Sequence, residues 1–490
     1  MTLLSSLSFT VISGLIGLSA STELQKAEYT VTCHEIAAAV SFASKVYYSG
    51  GCRSPQYTKD NDHWASSNSQ FSACSFEPAN AQDLQILAKN QTPFAVKSGG
   101  HSANPGFSST PGVQIALFSF SEVVYDANDQ TATIGMGLIW DNVYSELDQY
   151  GVTVVGAKTT GVGVGGIVLG GGYSYLSNQH GLSVDNVVSF ELVMPNGTVA
   201  NITSSSSPDL FYGLRGGFNN FGIVTTVTLK TYTQSQVWGG RISYTADQWG
   251  AVNAAIANFV STVTDPKACV YSTTDYVSGV AAISNILFYD APTYPDGIFN
   301  ELLAIPHFDK DISTRAYSNF IQTLPANATS GLRTMFHWVP IEQFTLSILQ
   351  MIKNQTLFYG EQLSQSSGAL ISYDLVPLLP SLYSHSDTPS AFPSLRDSGQ
   401  GYSFIEVYYG WTDPNDDEVM LQLGAESAAY MKQFAVDAGH NVANALIYPN
   451  CAPPGTALAD MYGDAVSSLH SIRSAVDPDN VMGLTGGWRF

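Results

Sequence analysis

The chain has 490 residues, 44% of them hydrophobic and only 12% charged, with 40 acidic against 19 basic side chains for a formal charge of −21. That length suffices for about two to four domains with substantial cores. The acidic balance argues against nucleic acid or an anionic membrane surface as partner, since both are bound through basic patches.

The first twenty residues carry no charged side chain and run from Leu3-Leu4 through Phe9-Thr10-Val11-Ile12 to Leu18-Ser19-Ala20. This is the pattern of a cleaved signal peptide over 1–20. Sequons beginning at Asn90, Asn196, Asn201, Asn327 and Asn354 fit the same export route. No later stretch is apolar for long enough to span a bilayer, so the expected location is secreted or in a secretory-pathway lumen, off the membrane. Five cysteines are too few for a disulfide scaffold and contain no C-x-x-C pair. Cys33 with Cys74 is the expected bridge, tying the first helix to the first strand region, while Cys52, Cys269 and Cys451 stay unassigned.

In chain order, residues 31–48 read as a short helix leading to a strand over Lys45-Val46-Tyr47-Tyr48, and 52–75 as polar and irregular. Ala81 to Asn90 reads as helical, and Phe94 to Val96 and Val113 to Leu117 as strands. Val123 to Asp126 and Thr131 to Ile134 form a strand pair across Asn128-Asp129. Residues 139–150 have helical spacing at Val143 and Leu147, stopped by Gly151. Two strands flank the hairpin turn Pro195-Asn196-Gly197, and another covers Thr225 to Thr231. After Tyr232 the texture changes, with helices expected near 247–263, 340–353 and 416–438 and a domain boundary near 233.

The chemistry starts where the first buried strand ends, at Val96-Lys97-Ser98-Gly99-Gly100-His101-Ser102. Two glycines let the backbone turn sharply, and successive N–H groups in such a turn make a nest for a pyrophosphate. His101 offers an imidazole nitrogen beside it. Alone, the motif fits equally a tight turn next to an incidental surface histidine. Gly161-x-Gly163-x-x-Gly166 formally satisfies the dinucleotide fingerprint. Its glycines run on to Gly170-Gly171-Gly172, too dense for a helix interior at about 1 kcal/mol each. They suit backbone laid against a flat, extended ligand.

Taken together and in order, these stretches resemble the FAD-linked oxidases of the berberine-bridge-enzyme-like group, within the vanillyl-alcohol-oxidase superfamily, and are similar to its secreted fungal members. His180-Gly181-Leu182-Ser183-Val184-Asp185-Asn186, Leu214-Arg215-Gly216-Gly217, Phe221-Gly222-Ile223-Val224, Tyr448-Pro449-Asn450 and Asp477-Pro478-Asp479-Asn480-Val481 carry the resemblance over the whole mature chain. It implies an α+β, two-domain PCMH-type FAD-binding fold whose substrate domain is an antiparallel sheet covered by helices. The implied division is an N-terminal part over 21–69, an FAD domain over 70–232, a substrate domain over 233–440 and a returning segment over 441–490.

The resemblance also implies FAD bonded covalently through His101. Cofactor contacts fall at Lys97, Ser98, Gly99, Gly100, His101, Ser102, Thr160, Gly161, Val162, Gly165, Gly166, Gly170, Tyr173, Gly222 and Val224. Thr159 stands where many members carry a second, cysteinyl link, so a single linkage is expected. Val162 stands at the oxygen gate, where valine goes with access of O2 to the flavin.

Hydride transfer to a flavin needs a group that removes the substrate proton. Glu406 and Tyr408 share one face of the strand Phe404-Ile405-Glu406-Val407-Tyr408-Tyr409-Gly410-Trp411 and are candidates, as is Tyr448. Cys451 occupies the place of a tyrosine common in the family. The remaining histidines have no metal-ligand spacing, so no metal is expected. The expected partners are a small organic substrate, such as a secondary metabolite, and O2, with the protein a monomer. The alternatives are a carbohydrate C1 oxidase and a secreted flavin-binding protein with a vestigial site.

Overall fold

A computed structural model describes residues 29–49, 54–89, 91–323, 326–385, 388–392 and 402–490. The signal segment 1–20, Cys52 and the sequon asparagine at 90 lie outside them. Three of the four sheets among the described residues carry the fold, the other being the two-stranded pair Val152–Thr153 with Tyr232–Thr233. The first has four strands in the order Lys45–Tyr48, Cys74–Glu77, Val113–Ala116, Phe94–Lys97. Its first pair is antiparallel and the other two are parallel. The second is antiparallel, in the order Val123–Asp126, Thr131–Gly135, Ile223–Lys230, Val187–Val193, Val199–Ile202. The third has seven antiparallel strands, with Ala268–Val277, Gly368–Val376, Ser403–Trp411 and Arg333–Ile341 adjacent in that order.

Strand alternation decides what the large sheet shows to each side. On Ser403–Trp411, Ile405, Val407, Tyr409 and Trp411 enter a core shared with the helices Trp249–Thr262, Leu346–Leu363 and Asp417–Asp437. Phe404, one residue out of phase, belongs to the core of the two smaller sheets. The intervening residues Glu406 and Tyr408 therefore face those sheets, as their shared parity predicts. The last forty residues return to the same core: Tyr462 donates to Gly216 O at 3.0 Å and Trp488 to Pro449 O at 3.2 Å.

Cys33 and Cys74 form a disulfide, as expected, pinning helical residues 29–39 to the first sheet across 41 residues of chain. A loop of that length is worth about 4 kcal/mol by the chain-entropy estimate. Cys269 and Cys451 are buried free thiols.

Three local expectations need correction. Residues 52–75 are not irregular throughout: Pro55–Asn61 is a helix capped by Ser54, whose hydroxyl accepts from Tyr57 N at 3.1 Å. Its sequence has no apolar period, but Ser followed by Pro at N1 is a start signal in its own right. The helix placed near 340–353 runs over Leu346–Leu363, because Arg333–Ile341 is a strand and Thr345 is the cap. The glycine-dense stretch also contains a helix, Val164–Gly170. Gly165 and Gly170 are tolerated because neighbours occupy the space of their side chains: a Cβ on Gly165 would lie 3.1 Å from Ser98 Cβ, and one on Gly170 2.5 Å from the Asn450 amide. Close packing outweighs propensity there.

Candidate active site

The Ser98–Ser102 loop leaves the Phe94–Lys97 strand and packs backbone to backbone on the second glycine stretch. A Cβ on Gly99 would lie 2.5 Å from Gly163 N, and one on Gly163 would lie 2.2 Å from Gly99 N. Ser98 stitches the two together, donating to Met136 O at 2.6 Å and accepting from Gly165 N at 3.1 Å. Gly161 N donates to Asp141 at 2.8 Å, and Val162 O accepts from Trp140 N at 3.0 Å. Thr160 is buried beside them. Gly100 takes φ 73°, which favours glycine. Around Gly166, by contrast, a Cβ would meet no atom of the described residues within 4 Å beyond its chain neighbours and its own helix backbone.

The other expected cofactor positions divide. Gly222, at φ 141°, sits against Val193 O, and Val224 pairs with Leu192 inside the second sheet. Tyr173 lies among Trp338, Phe404 and Tyr448, with ring centroids 5.1–5.8 Å away. Lys97 turns away from the loop and donates to Lys59 O at 2.8 Å and to Asp62 O. Burial brings its pKa down to about 8. Ser102 O accepts from Asn68 at 3.0 Å.

His101 stacks on Trp64 with ring centroids 4.1 Å apart and planes inclined by 15°. Its Nε2 is buried with no hydrogen-bond partner among the described residues. Burial lowers its pKa to about 4, against a smaller opposing pull from Glu406. The ring is thus neutral near neutral pH, with a nitrogen not committed to any group among the described residues.

Across from this loop stands the polar face of the large sheet. Glu406 pairs with Lys158 at 3.0 Å and accepts from the Cys451 thiol at 3.7 Å. Burial alone would lower the Lys158 pKa, but the carboxylates of Glu406 and Asp374 more than offset it. The ammonium keeps its proton. Burial, then the Glu406 charge, pushes the Cys451 thiol well up, so it stays a donor. Tyr448 Oη accepts from Gly172 N at 3.1 Å and from Asn450 Nδ2 at 2.7 Å, and burial raises its pKa. With both acceptor positions filled, it is a phenol suited to donating, whereas Glu406 is suited to accepting. Tyr408 stacks on Phe336 at 5.0 Å and approaches Trp64 at 5.7 Å. Glu406, Tyr448 and Cys451 therefore converge, and Tyr408 lies toward His101.

Residues 73–203 match the family model of the FAD binding domain. Over 272 residues the chain is 36% identical to an uncharacterized FAD-linked oxidoreductase of Arthroderma benhamiae, an alignment covering 54% of each chain. It is 28% identical over 450 residues to an FAD-dependent monooxygenase of Aspergillus calidoustus, covering 87% of this chain and 84% of that one. The match thus spans about half the length of the first relative and most of the second. The chain is an oxidoreductase with an FAD binding domain, similar to these FAD-linked enzymes. This oxidoreductase shares its fold with 6-hydroxy-D-nicotine oxidase from Arthrobacter nicotinovorans, at TM-score 0.75 and 18% identity over 91% of this chain and 98% of that one. It superposes likewise on a berberine bridge enzyme variant bound to (S)-reticuline, at TM-score 0.71 and 16% identity over 92% and 97%.

The residues present fit an FAD. The oxidoreductase offers interlocked glycine backbones, open space at Gly166 and an uncommitted buried His101 nitrogen, opposite an aromatic and carboxylate face. Sequence reasoning missed Lys158, Asp374, Asn450 and Trp64. Lys158 adjoins Thr159, but its pairing with Glu406 spans 248 residues, so no local spacing signals it. Asp185 and Arg215, both in the family motifs, pair at 3.7 Å, and Arg215 Nε donates to Val184 O at 2.6 Å. That pair pins the wall of the cradle.

Proposed function

We propose that this oxidoreductase oxidises a small organic molecule by hydride transfer to FAD bonded covalently through His101, with O2 as terminal acceptor. The observation that carries the reading is the Glu406 carboxylate, held between Lys158 at 3.0 Å and Cys451 at 3.7 Å on the sheet face opposite the His101 loop. Bound FAD supplies the hydride acceptor and, through O2, releases H2O2. Residues 70–232 with 441–490 would hold the cofactor, and 233–440 would roof it.

Glu406 takes the proton of the substrate hydroxyl, phenol or amine as the hydride leaves carbon. Lys158 pairs with that carboxylate and fixes its orientation, and Cys451 donates to its second oxygen. Trp338, stacked on Phe404 at 3.5 Å, gives the pocket a flat apolar wall for a planar substrate. Tyr448 donates to a substrate oxygen or nitrogen, and Tyr408 closes the side toward His101. Thr159 leaves the flavin with one covalent bond, which supports a small-molecule pocket over an open oligosaccharide groove. The Cys33–Cys74 disulfide supports maturation in an oxidising compartment, hence a secreted protein with glycans on its sequons. Among the described residues no helix is long and apolar enough to cross a membrane.

The test is H2O2 release by the purified holoprotein on a panel of phenols, alkaloid-type amines and benzylic or allylic alcohols, beside cello- and chito-oligosaccharides. Release is expected on the first group. Faster release on the oligosaccharides would replace this reading with the carbohydrate one. Reduction that proceeds only with an artificial acceptor would make the protein a dehydrogenase.

A further inference from the structure

The segment that carries Trp64 runs beside the His101 loop and holds its backbone on both sides. Just before His101, Gly100 O accepts from Trp64 N at 3.0 Å. Just after it, Ser102 O accepts from the Asn68 amide at 3.0 Å, and the Asn68 oxygen accepts from Gly106 N at 3.0 Å. The same segment is tied to the large sheet. Gly331 N donates to Trp64 O at 2.8 Å and Ser66 N to Leu332 O at 2.9 Å, immediately before the edge strand Arg333–Ile341. With its backbone fixed from two domains, Trp64 lays its indole on the His101 imidazole, centroids 4.1 Å apart and planes inclined by 15°. The indole is also nearly parallel to Phe336, at 6.1 Å and 22°, and Phe336 is the direct cross-strand partner of Tyr408.

We propose that Trp64 is a positioning residue for His101, its indole holding the imidazole plane so that an open ring nitrogen is presented for bonding to FAD. The inference rests on the covalent attachment proposed above.

The lone pair of an imidazole nitrogen lies in the ring plane, so turning that plane about the Cβ–Cγ bond turns the nucleophile away. In histidine this torsion is soft, with broad wells, and something must restrain it. A hydrogen bond to the nitrogen would fix the plane but occupy the lone pair. An aromatic face fixes the plane and leaves the nitrogen open, which is the arrangement found: Nε2 has no hydrogen-bond partner among the described residues and the ring is stacked. Burial keeps the imidazole neutral, so the lone pair is available. The bond joins a ring nitrogen to the flavin 8α carbon. The methyl group and the imidazole N–H each lose one hydrogen as a proton. The C–H electron pair passes to the flavin ring system, and O2 takes that pair with two protons to give H2O2.

The test measures bound FAD and acid-stable flavin separately in the purified natural chain, Trp64→Phe and Trp64→Ala. Absorbance of the native protein gives the first, and flavin retained in the acid-precipitated pellet gives the second. In the natural chain and in Trp64→Phe, nearly all bound flavin is expected to be acid-stable. In Trp64→Ala that share falls about tenfold while bound FAD is maintained, the scale of a lost orientation effect. If Trp64→Ala binds no FAD, Trp64→Leu, which fills the space without an aromatic plane, takes its place with the same expectation. An acid-stable share equal to that of the natural chain overturns the inference. So does loss of all FAD from both variants, or a phenylalanine variant no better than alanine. A natural chain whose flavin is entirely released by acid refutes the His101 bond itself, and leaves Trp64 nothing to position.

Discussion

Replacing Glu406 by glutamine lowers the rate at which substrate reduces the bound FAD by about 10²- to 10⁴-fold, the range of a lost general base. The amide keeps the size and planarity of the side chain but has no affinity for a proton near neutrality. It also removes the ion-pair partner of the Lys158 ammonium, 3.0 Å away. The fall belongs in the reduction step and not in KM, because the proton moves as the hydride does. Anaerobic stopped-flow reduction, using the substrate that gives H2O2, reads it directly. A rate within about twofold of the natural chain would move the acceptor role to another group.

The second large effect concerns the glycine cradle. Gly163→Ala abolishes FAD loading, since its Cβ would lie 2.2 Å from Gly99 N and 2.7 Å from Gly99 Cα. Both contacts are backbone held by the Ser98 hydrogen bonds, so one loop must separate from the other. Overpacking of this kind costs about 1–3 kcal/mol or more. Gly166→Ala is the informative companion. Among the described residues nothing beyond its chain neighbours and its own helix backbone lies within 4 Å of its Cβ, and the position is inside a helix. Alanine there stabilises the flavin-free chain by about 1 kcal/mol. If that open space is where the cofactor lies, the same substitution lowers FAD content in the purified protein. Flavin absorbance against protein, with thermal melts of both forms, separates the two effects. Full FAD content in Gly163→Ala would contradict the assignment of this loop pair.

Much of this was legible in the residues, for definable reasons. The Gly99-Gly100-His101 turn and the Gly161–Gly172 stretch announce close backbone approach, because at Gly99 and Gly163 only glycine fits. Period-two alternation is enough to put Glu406 and Tyr408 on one face, since strand parity is a local property. The Cys33–Cys74 pairing was also readable. What escaped is what long-range packing decides. Lys158 meets Glu406 only because the loop before the glycine stretch is folded beneath the large sheet. Asp374 meets Glu406 through the pairing of Gly368–Val376 with Ser403–Trp411, a register no single-strand pattern contains. The Val164–Gly170 helix was hidden by its own composition, because propensity counts glycine as a cost where tertiary contacts demand it. Lys97 sits inside the cofactor motif yet serves the carbonyls of Lys59 and Asp62, a role visible only once the Pro55–Asn61 helix is in place.

The most direct test of the account is flavin fluorescence of the acid-precipitated protein on a denaturing gel, natural chain beside His101→Ala. The account predicts a fluorescent band in the natural chain that is absent from the variant. A dark natural band with stoichiometric flavin in the supernatant would contradict the bond to His101, and the absence of flavin from both fractions would contradict the oxidase reading itself.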